Sequence, residues 1–175
     1  INGQKKLYKY GTKNKNIYES LLFKGNCLST SAVTVEKKIA FEVGKFSENK
    51  DFVSAEDYEF WIRLSKVGVF NFINEALGEF HLYAESASSD KMKHVNASMA
   101  VRIYHLNQWA KQFPQKKSKL AKGKGKLWAD SARILNKDEQ YSKSIQFVKQ
   151  ALRKDFFQLK AWAVLFLSIF RISVK

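Results

Sequence analysis

The spacing of apolar residues predicts a mainly helical chain that also contains a few short strands. Apolar side chains recur at three- and four-residue intervals in five segments, as they do on the buried face of a helix. These segments are 17–22, 36–43, 56–67, 92–113 and 141–152. We expect Gly25 and Asn26 to end the first helix, because both tolerate a positive φ, and Pro114 to end the long one.

Three shorter segments have the composition of strands. Residues 27–35 are small, β-branched and rich in hydroxyl groups, which predicts a strand. Its hydroxyls either line a polar pocket or belong to ordinary strand alternation. Residues 69–73 and 77–83 are brief apolar runs separated by a polar tripeptide, and they predict an edge or a small extra sheet. Helices and strands together predict a mixed α/β fold class.

The stretch 53–64 carries the strongest candidate chemistry. Asp57 precedes Phe60 and Trp61 by three and four residues and so extends their buried face toward the start of a helix. A carboxylate at the rim of a buried face is partly desolvated, the condition under which it acts as a base near neutral pH. The alternative is a capping box, in which Ser54 is the N-cap and Asp57 bonds back to its backbone. The pattern leaves both open.

Charge narrows the range of partners. The chain has 31 basic and 16 acidic residues, a net charge of +15, which favours phosphate-bearing partners such as nucleotides, nucleic acid or anionic lipid. No acid occurs between Lys91 and Ala129, and lysines crowd the part from 116 to 126. That part predicts either a solvated linker or a polybasic surface near anionic lipid. Nucleic acid is the less favoured partner, because no recognised binding motif is present.

The C-terminal third predicts a helical tail. Residues 127–152 loosely resemble a tetratricopeptide-type helical hairpin. The last helix, over about 156–174, is apolar on nearly every face, but its uninterrupted apolar core covers only 161–167. This core is shorter than the ~20 residues that span a bilayer. The helix is expected either to pack against the hairpin or to lie on a membrane surface, with Lys160, Arg171 and Lys175 as interfacial anchors.

Composition and cysteine content indicate a globular chain from a reducing compartment. Hydrophobic residues make up 45% of the chain, enough to bury a core. Cys27 is the single cysteine, which excludes an internal disulfide and a thiolate metal cluster and fits the cytoplasm. The first residue is not Met, and no signal-peptide core follows it, so we expect the chain to be a fragment of something longer.

Four sequence blocks, in this order and at these spacings, resemble the conserved blocks of a known enzyme family. They are residues 21–31, 43–48, 56–64, and 76–80 with 86–88. In this order they resemble the helix and serine-rich strand, the glycine turn, the acidic helix, and the closing strand and serine pair of family 2 glycosyltransferases. That family is inverting and has the A-type fold. The resemblance covers somewhat under half of the chain and matches the second, acceptor-side half of the family's catalytic domain.

The resemblance implies a domain organisation and an activity. Residues 1–90 would be the C-terminal part of the catalytic domain, 91–126 a long helix and lysine-rich linker, and 127–175 the helical hairpin with the apolar helix. The implied reaction moves one sugar from a nucleotide-diphosphate donor to a hydroxyl of a saccharide or lipid-linked acceptor, in surface polysaccharide or glycolipid synthesis. The implied location is the cytoplasm, peripheral to the inner face of the membrane.

The resemblance also implies roles for individual residues. Asp57 corresponds to the family's general base. The other implied roles are substrate binding by Glu56, Asn26 and Ser31, and support of the acidic helix by Trp61 and Arg63. The reaction further needs a divalent cation, Mg²⁺ or Mn²⁺, to neutralise the departing diphosphate.

The chain departs from the family pattern in ways that limit these expectations. Lys45 and Ser47 replace the usual second glycine and aspartate of the turn, and His81 is displaced from the expected histidine position, so it is not assigned as a metal ligand. No Asp-x-Asp motif occurs, so the metal ligands and nucleotide-binding residues are expected before Ile1, and the chain is expected to be inactive alone. The absence of Gln-x-x-Arg-Trp favours single-sugar transfer.

Two other function classes remain as alternatives. One is a basic nucleic-acid-binding module, which the net charge of +15 favours. The other is a non-catalytic helical interaction protein built on residues 127–175. The second is favoured if Asp57 proves to be a satisfied cap with no pocket beside it.

Overall fold

The structure, a computed structural model, describes residues 17–78 and 90–174. Within these ranges the chain forms seven α-helices and two short 3-10 turns, at Thr30–Ala32 and Lys50–Phe52. The helices are α1 (Ile17–Lys24), α2 (Lys37–Glu42), α3 (Glu56–Leu64), α4 (Lys91–Gln112), α5 (Lys117–Lys137), α6 (Tyr141–Lys154) and α7 (Leu159–Ile169).

The predicted mixed α/β class, and with it the A-type glycosyltransferase fold, is wrong, because the described residues contain no β-strand. In the segment 27–35 the backbone is extended at Ser29 and Val33, but the 3-10 turn at Thr30–Ala32 lies between them. A strand also needs a second strand to receive its backbone hydrogen bonds. None of the described segments supplies one. An extended local conformation therefore does not become a sheet here.

The predicted strand over 69–73 is likewise irregular in the structure. Val69 and Ile73 are 89 and 70% exposed, whereas Phe70 is half-buried and packs against core residues. The next predicted strand, 77–83, is described only at Leu77 and Gly78, which are irregular and exposed. The rest of that strand, His81 and the serine pair at 86–88 lie outside the described residues.

The end of α1 has the glycine terminus that the sequence predicts. Gly25 adopts φ +109°, a left-handed conformation that favours glycine. The buried Arg102 of α4 donates to the carbonyl oxygens of Leu22 and Phe23, at 3.3 and 3.2 Å, and so satisfies the last carbonyls of the helix. The end of α1 is thereby held against α4.

The acidic helix α3 packs between α1 and α4 in the first part of the core. Tyr58 is buried, and its hydroxyl donates to the carbonyl oxygen of Leu21 at 2.6 Å. The apolar residues of this part are Ile17, Leu21, Phe52, Ala55, Tyr58, Phe60, Trp61, Ile62, Leu64, Ala97 and Val101. Val67, which the same spacing places on the buried face, is exposed, because α3 ends at Leu64.

The long helix α4 also contributes to the second part of the core, which it shares with α1 and α5. This part contains Leu22, Val95, Met99, Leu106, Trp109, Leu127 and Leu135. A third part joins α5, α6 and α7 through Ala129, Ala132, Val148, Ala151, Ala161 and Val164. Because α4 packs against α1 and α3 in the first part, described residues before and after residue 90 share one core.

The lysine-rich segment predicted as a linker is the first half of α5. Its glycines permit close packing instead of breaking the helix. A Cβ at Gly123 would lie 2.6 Å from Cδ1 of Phe23, and one at Gly125 would lie 2.8 Å from Cβ of Asp155. Lysines of this segment also form ion pairs, for example Lys119 with Glu19 at 2.7 Å. The predicted boundary at 126 therefore falls inside a helix.

The last helix is shorter than predicted and is apolar on two sides. Ala161, Val164 and Ser168 are buried against the preceding helices, whereas other large apolar residues of α7 are exposed. Of the described helices, none combines the length and the apolarity needed to cross a membrane.

Candidate functional site

An open pocket of about 470 Å³ lies at the N-terminal end of α3. Its walls come from the segment after α1, the loop before α3, the first turn of α3 and the first half of α4. The lining residues are Asn26, Thr30, Phe46, Ser54, Glu56, Asp57, Tyr58, His94 and Ser98. Because these residues lie far apart in the sequence, the pocket depends on the packing of α1, α3 and α4.

Asp57, the predicted base, is half-buried in the wall of this pocket. Its Oδ2 accepts a hydrogen bond from the hydroxyl of Thr30 at 2.7 Å, and its Oδ1 accepts one from the backbone N–H of Tyr58 at 2.6 Å. Two donors on different elements thus fix the orientation of the carboxylate. Each oxygen has a second lone pair that can accept a proton or a ligand hydroxyl.

The capping box that the sequence offered as an alternative role for Asp57 does not form. The N-cap residue of α3 is Ala55, whose side chain cannot accept a cap hydrogen bond. The buried Oγ of Ser54 has no partner among the described residues, and Ser54 itself adopts φ +79°. The carboxylate that reaches back to this segment belongs to Glu56, whose Oε2 accepts from the Ser54 N–H at 2.7 Å.

The three other predicted substrate-binding residues divide between the pocket and the surface. Asn26 and Glu56 line the pocket with Asp57. The Oδ1 of Asn26 accepts from the backbone N–H of Leu28 at 3.0 Å, which leaves its amide NH₂ group as a donor. Ser31 is not among the lining residues. It is exposed on the 3-10 turn, and its Oγ lies 3.1 Å from that of Ser29.

His94 and Ser98 of α4 line the pocket but were not identified from the sequence. The Nδ1 of His94 lies 2.9 Å from the carbonyl oxygen of Ser54, so the ring is tied to the loop before α3. The two residues are four apart and share one helix face beside the buried Val95 and Met99. Two polar residues at this spacing beside an apolar stripe are the sequence pattern from which they could have been identified.

Arg63, a predicted support of the acidic helix, connects that helix to the turn at 43–45. Its Nε lies 2.9 Å from both carboxylate oxygens of Glu59, and its two terminal nitrogens donate to the carbonyl oxygens of Val43 and Lys45. The turn contains two left-handed residues, Gly44 at φ +89° and Lys45 at φ +59°. Arg63 therefore holds the turn that leads to the pocket residue Phe46.

Trp61, the other predicted support, is buried in the core below this turn. Its ring lies 6.4 Å from that of Phe46 and 5.4 Å from that of Phe60. The ring of Phe46 also lies 4.7 Å from that of Phe60. These contacts pack the turn onto α3, so Trp61 supports the aromatic wall of the pocket without lining it.

Behind the pocket, Glu59 forms a buried polar network with Arg63 and His105. The Nε2 of His105 lies 3.2 Å from Oε1 of Glu59, and the Glu59 residue is 4% exposed. Burial raises the pKa of the Glu59 carboxyl, but the hydrogen bonds from His105 and Arg63 and the Arg63 charge outweigh burial and hold that pKa below its ordinary value.

We expect this network to make stability depend on pH in the acidic range. The folded-state pKa of Glu59 is lowered, so its stabilising contribution is complete above the unfolded value of about 4.3 and is lost as the pH falls through the folded value. Urea unfolding at a series of pH values from neutral to acidic measures this. The free energy of unfolding should fall more steeply with acidification in the unmodified protein than in Glu59→Gln, with Glu36→Gln as a surface control. Equal slopes for Glu59→Gln and the unmodified protein would contradict the assignment.

The described residues do not form a site for the divalent cation that the resemblance implies. Across 17–78 and 90–174, no group of three or more His, Cys, Asp or Glu side chains is arranged to hold a metal ion. The two pocket carboxylates, Asp57 and Glu56, each use one oxygen to accept a backbone N–H. No step of the chemistry is therefore assigned to a metal held by these residues.

Comparisons of the chain with models of protein families, with curated proteins and with solved structures gave no match. The function of the pocket is therefore inferred from its own geometry and from the sequence blocks that meet in it.

Proposed function

We propose that the pocket around Asp57 is the acceptor site of an inverting glycosyltransferase. The enzyme would move one sugar from a nucleotide-diphosphate donor to a hydroxyl of a saccharide or lipid-linked acceptor, in surface polysaccharide or glycolipid synthesis. The observation that carries the proposal is the meeting of Asn26, Phe46 and Asp57 in one pocket. They belong to three separate sequence blocks of the family resemblance.

The chemistry assigned to Asp57 is that of a general base. The acceptor oxygen attacks the anomeric carbon of the donor while its proton passes to a carboxylate oxygen of Asp57. The bond between the anomeric carbon and the phosphate oxygen breaks, and the nucleoside diphosphate leaves with that electron pair. Attack from the face opposite the leaving group inverts the anomeric centre. Thr30 and the Tyr58 N–H keep the carboxylate oriented for this step.

The remaining pocket residues suit a sugar acceptor. The amide of Asn26, the carboxylate of Glu56 and the ring of His94 offer hydrogen-bonding groups for further hydroxyls. Phe46 is half exposed at the pocket and offers an apolar face to the C–H groups of a sugar ring. A volume of about 470 Å³ lies within the range of small-molecule sites.

The conformation of the turn at 43–45 agrees with the resemblance. In the family resemblance, Lys45 stands where a second glycine is usual. Its φ of +59° lies in the left-handed region that favours glycine. A glycine would adopt this backbone conformation without strain, so the residue that is usual in the family would fit at position 45.

The proposal places the enzyme in the cytoplasm, peripheral to the inner face of a membrane where lipid-linked acceptors are held. It also assigns donor binding, with the divalent cation, to residues other than those described. The exposed apolar side of α7 is the observation that favours a membrane-associated location. A non-catalytic helical interaction protein is the second candidate, and the same exposed face favours it.

Titration with simple saccharides tests the acceptor site on the chain as it stands. We expect methyl glycosides to shift backbone NMR signals of the pocket residues, and we expect Asn26→Ala to weaken this effect because it removes a lining amide. Ser31→Ala is the matched control, because Ser31 lies outside the pocket, and it should bind like the unmodified chain. Shifts that avoid the pocket, or that Ser31→Ala and Asn26→Ala weaken equally, would contradict the proposal.

A second titration tests the division between donor and acceptor. Calorimetry with uridine and guanosine diphospho-sugars in the presence of Mn²⁺ should detect no tight binding by this chain, because the described residues contain no metal-binding group. Micromolar binding would show that the donor site has been misplaced.

A further inference from the structure

The outer side of α7 is an apolar surface that no described residue covers. The helix buries Ala161, Val164 and Ser168 on its inner side. On the other side, large apolar side chains follow one another at three- and four-residue spacing, and each is between 41 and 81% exposed. They are Leu159, Trp162, Phe166, Ile169 and Phe170. At 1.5 Å per residue, this helix presents a stripe roughly 16 Å long.

The turn before α7 extends this stripe with two more aromatic residues. Phe157 is 85% exposed, and Phe156 is also exposed. The turn is tied to the helix, because the indole N–H of Trp162 donates to the carbonyl oxygen of Phe156 at 2.9 Å and the two rings lie 5.3 Å apart. The aromatic side chains therefore form one continuous surface with α7.

Basic residues lie at both ends of the stripe. Arg153 and Lys154 end α6 just before the turn, and Lys160 and Arg171 are exposed at the two ends of α7. The nearby acid in the sequence is Asp155, which is half-buried. Apolar aromatic side chains between cations are typical of surfaces that lie in the headgroup region of an anionic bilayer.

More positive charge lies where the chain leaves α7. The residues after this helix are fastened to the end of α5, because Asn136 binds the carbonyl oxygen of Ile172 and the N–H of Val174. This end of α5 contributes to a second pocket, of about 230 Å³. Its lining residues are Lys91, Arg133, Ile134, Lys137 and Asp138. Three cations and one acid give this region a net positive charge.

We propose that the outer face of α7, with Phe156 and Phe157, docks the protein on an anionic lipid bilayer. The aromatic side chains enter the boundary between headgroups and acyl chains, and the cations at both ends contact lipid phosphates. This inference rests on the peripheral location proposed above and names the surface responsible. Vesicle binding needs no sugar transfer, so the docking surface and the transferase activity can fail separately.

Co-sedimentation of the full chain with vesicles tests the proposal. We compare phosphatidylcholine alone with phosphatidylcholine that contains phosphatidylglycerol. The protein should bind the anionic vesicles more tightly, and Phe166→Ser with Phe170→Ser should weaken this binding by roughly tenfold or more, because two large apolar side chains no longer leave water. The matched control, Phe41→Ser with Val69→Ser, changes two exposed apolar residues elsewhere and should bind normally.

Charge and insertion are tested separately. Lys160→Gln with Arg171→Gln should weaken binding to anionic vesicles by roughly tenfold and reduce its sensitivity to salt. Trp162 fluorescence should shift to the blue on binding, and Trp162→Phe should abolish most of that shift. Circular dichroism checks that each variant is folded. If the Phe166 and Phe170 variant is not, Phe157→Ser, which leaves the helix unchanged, replaces it.

Equal binding of the unmodified protein and a folded α7 or Phe157 variant would overturn the proposal. Equal binding to the neutral and the anionic vesicles would overturn it as well. A third contradictory result would be a dimer, seen by light scattering, that the α7 substitutions dissociate while no vesicle binding is found. That result would assign the same face to a second copy of the chain.

Discussion

Replacing Asp57 by Asn is expected to lower the rate of sugar transfer roughly 10²–10⁴-fold, the usual contribution of a general base. Asparagine has nearly the same shape and keeps an oxygen that can accept the hydrogen bond from Thr30 or from the Tyr58 N–H. It cannot take the proton of the acceptor hydroxyl. The rate should therefore fall while the melting temperature changes little. Sugar-transfer assays of the protein combined with the donor-binding residues that the proposal requires, paired with thermal unfolding, measure both quantities.

Ser31→Ala is the matched control for the rate, because Ser31 lies outside the pocket, and it should spare sugar transfer. Ser54→Ala is the control for stability, because the Ser54 hydroxyl has no hydrogen-bond partner among the described residues and its loss should leave the melting temperature unchanged. If Asp57→Asn turns over at a near-normal rate, or loses activity only in proportion to unfolding, Asp57 is not the base. If Ser54→Ala destabilises the protein by about 1 kcal/mol, as loss of a helix cap does, the capping box must form in solution.

The helices could be predicted because their signals are local. The apolar spacing of α3 and α4 lies within each helix, and Gly25 and Pro114 mark helix ends by their own backbone preferences. The same spacing wrongly predicted that Val67 is buried, because the apolar pattern continues in the sequence although the helix ends at Leu64.

Local signals could not decide whether the predicted strands form, because a strand needs a second strand from elsewhere in the chain. Residues 27–35 have the composition of a strand and extended backbone at Ser29 and Val33, but no second strand among the described residues pairs with them. The prediction of a linker over the lysine-rich half of α5 also failed, because the helix there depends on contacts with distant residues. Lysine is a good helix former, and Gly123 and Gly125 lie where Phe23 and Asp155 approach closely, a contact that the local sequence does not reveal.

Part of the candidate site could be predicted from the sequence, for the same reasons. Asn26, Glu56 and Asp57 follow from the order of sequence blocks, and the structure gathers them in one pocket. His94 and Ser98 could not be placed there, because α4 meets α3 through Ala97 and Val101 and this packing is tertiary. Thr30 replaces Ser31 at the pocket because the 3-10 turn, and not strand alternation, decides which hydroxyl faces Asp57.

Truncation of Trp109 to alanine is expected to cost the protein roughly 3–5 kcal/mol, the usual loss for a fully buried large aromatic residue. Trp109 is 1% exposed, and its ring lies 5.0 Å from that of Phe23 in α1 and 5.2 Å from that of Phe113. The ammonium groups of Lys116 and Lys119 also lie over it, at 5.9 and 5.7 Å. For a chain of this length, the loss corresponds to a melting temperature lower by roughly 6–20 °C.

The position of Trp109 makes this substitution a test of the domain organisation as well. The ring lies between α1, which precedes the predicted boundary at residue 90, and α5, which follows it. If the two parts share one core, unfolding should be a single transition that Trp109→Ala shifts as a whole. Trp162→Ala, on the exposed side of α7, is the control and should cost much less. Urea unfolding followed by circular dichroism distinguishes these outcomes. Two separate transitions, with the later one unmoved by Trp109→Ala, would show that α5, α6 and α7 fold independently of the pocket.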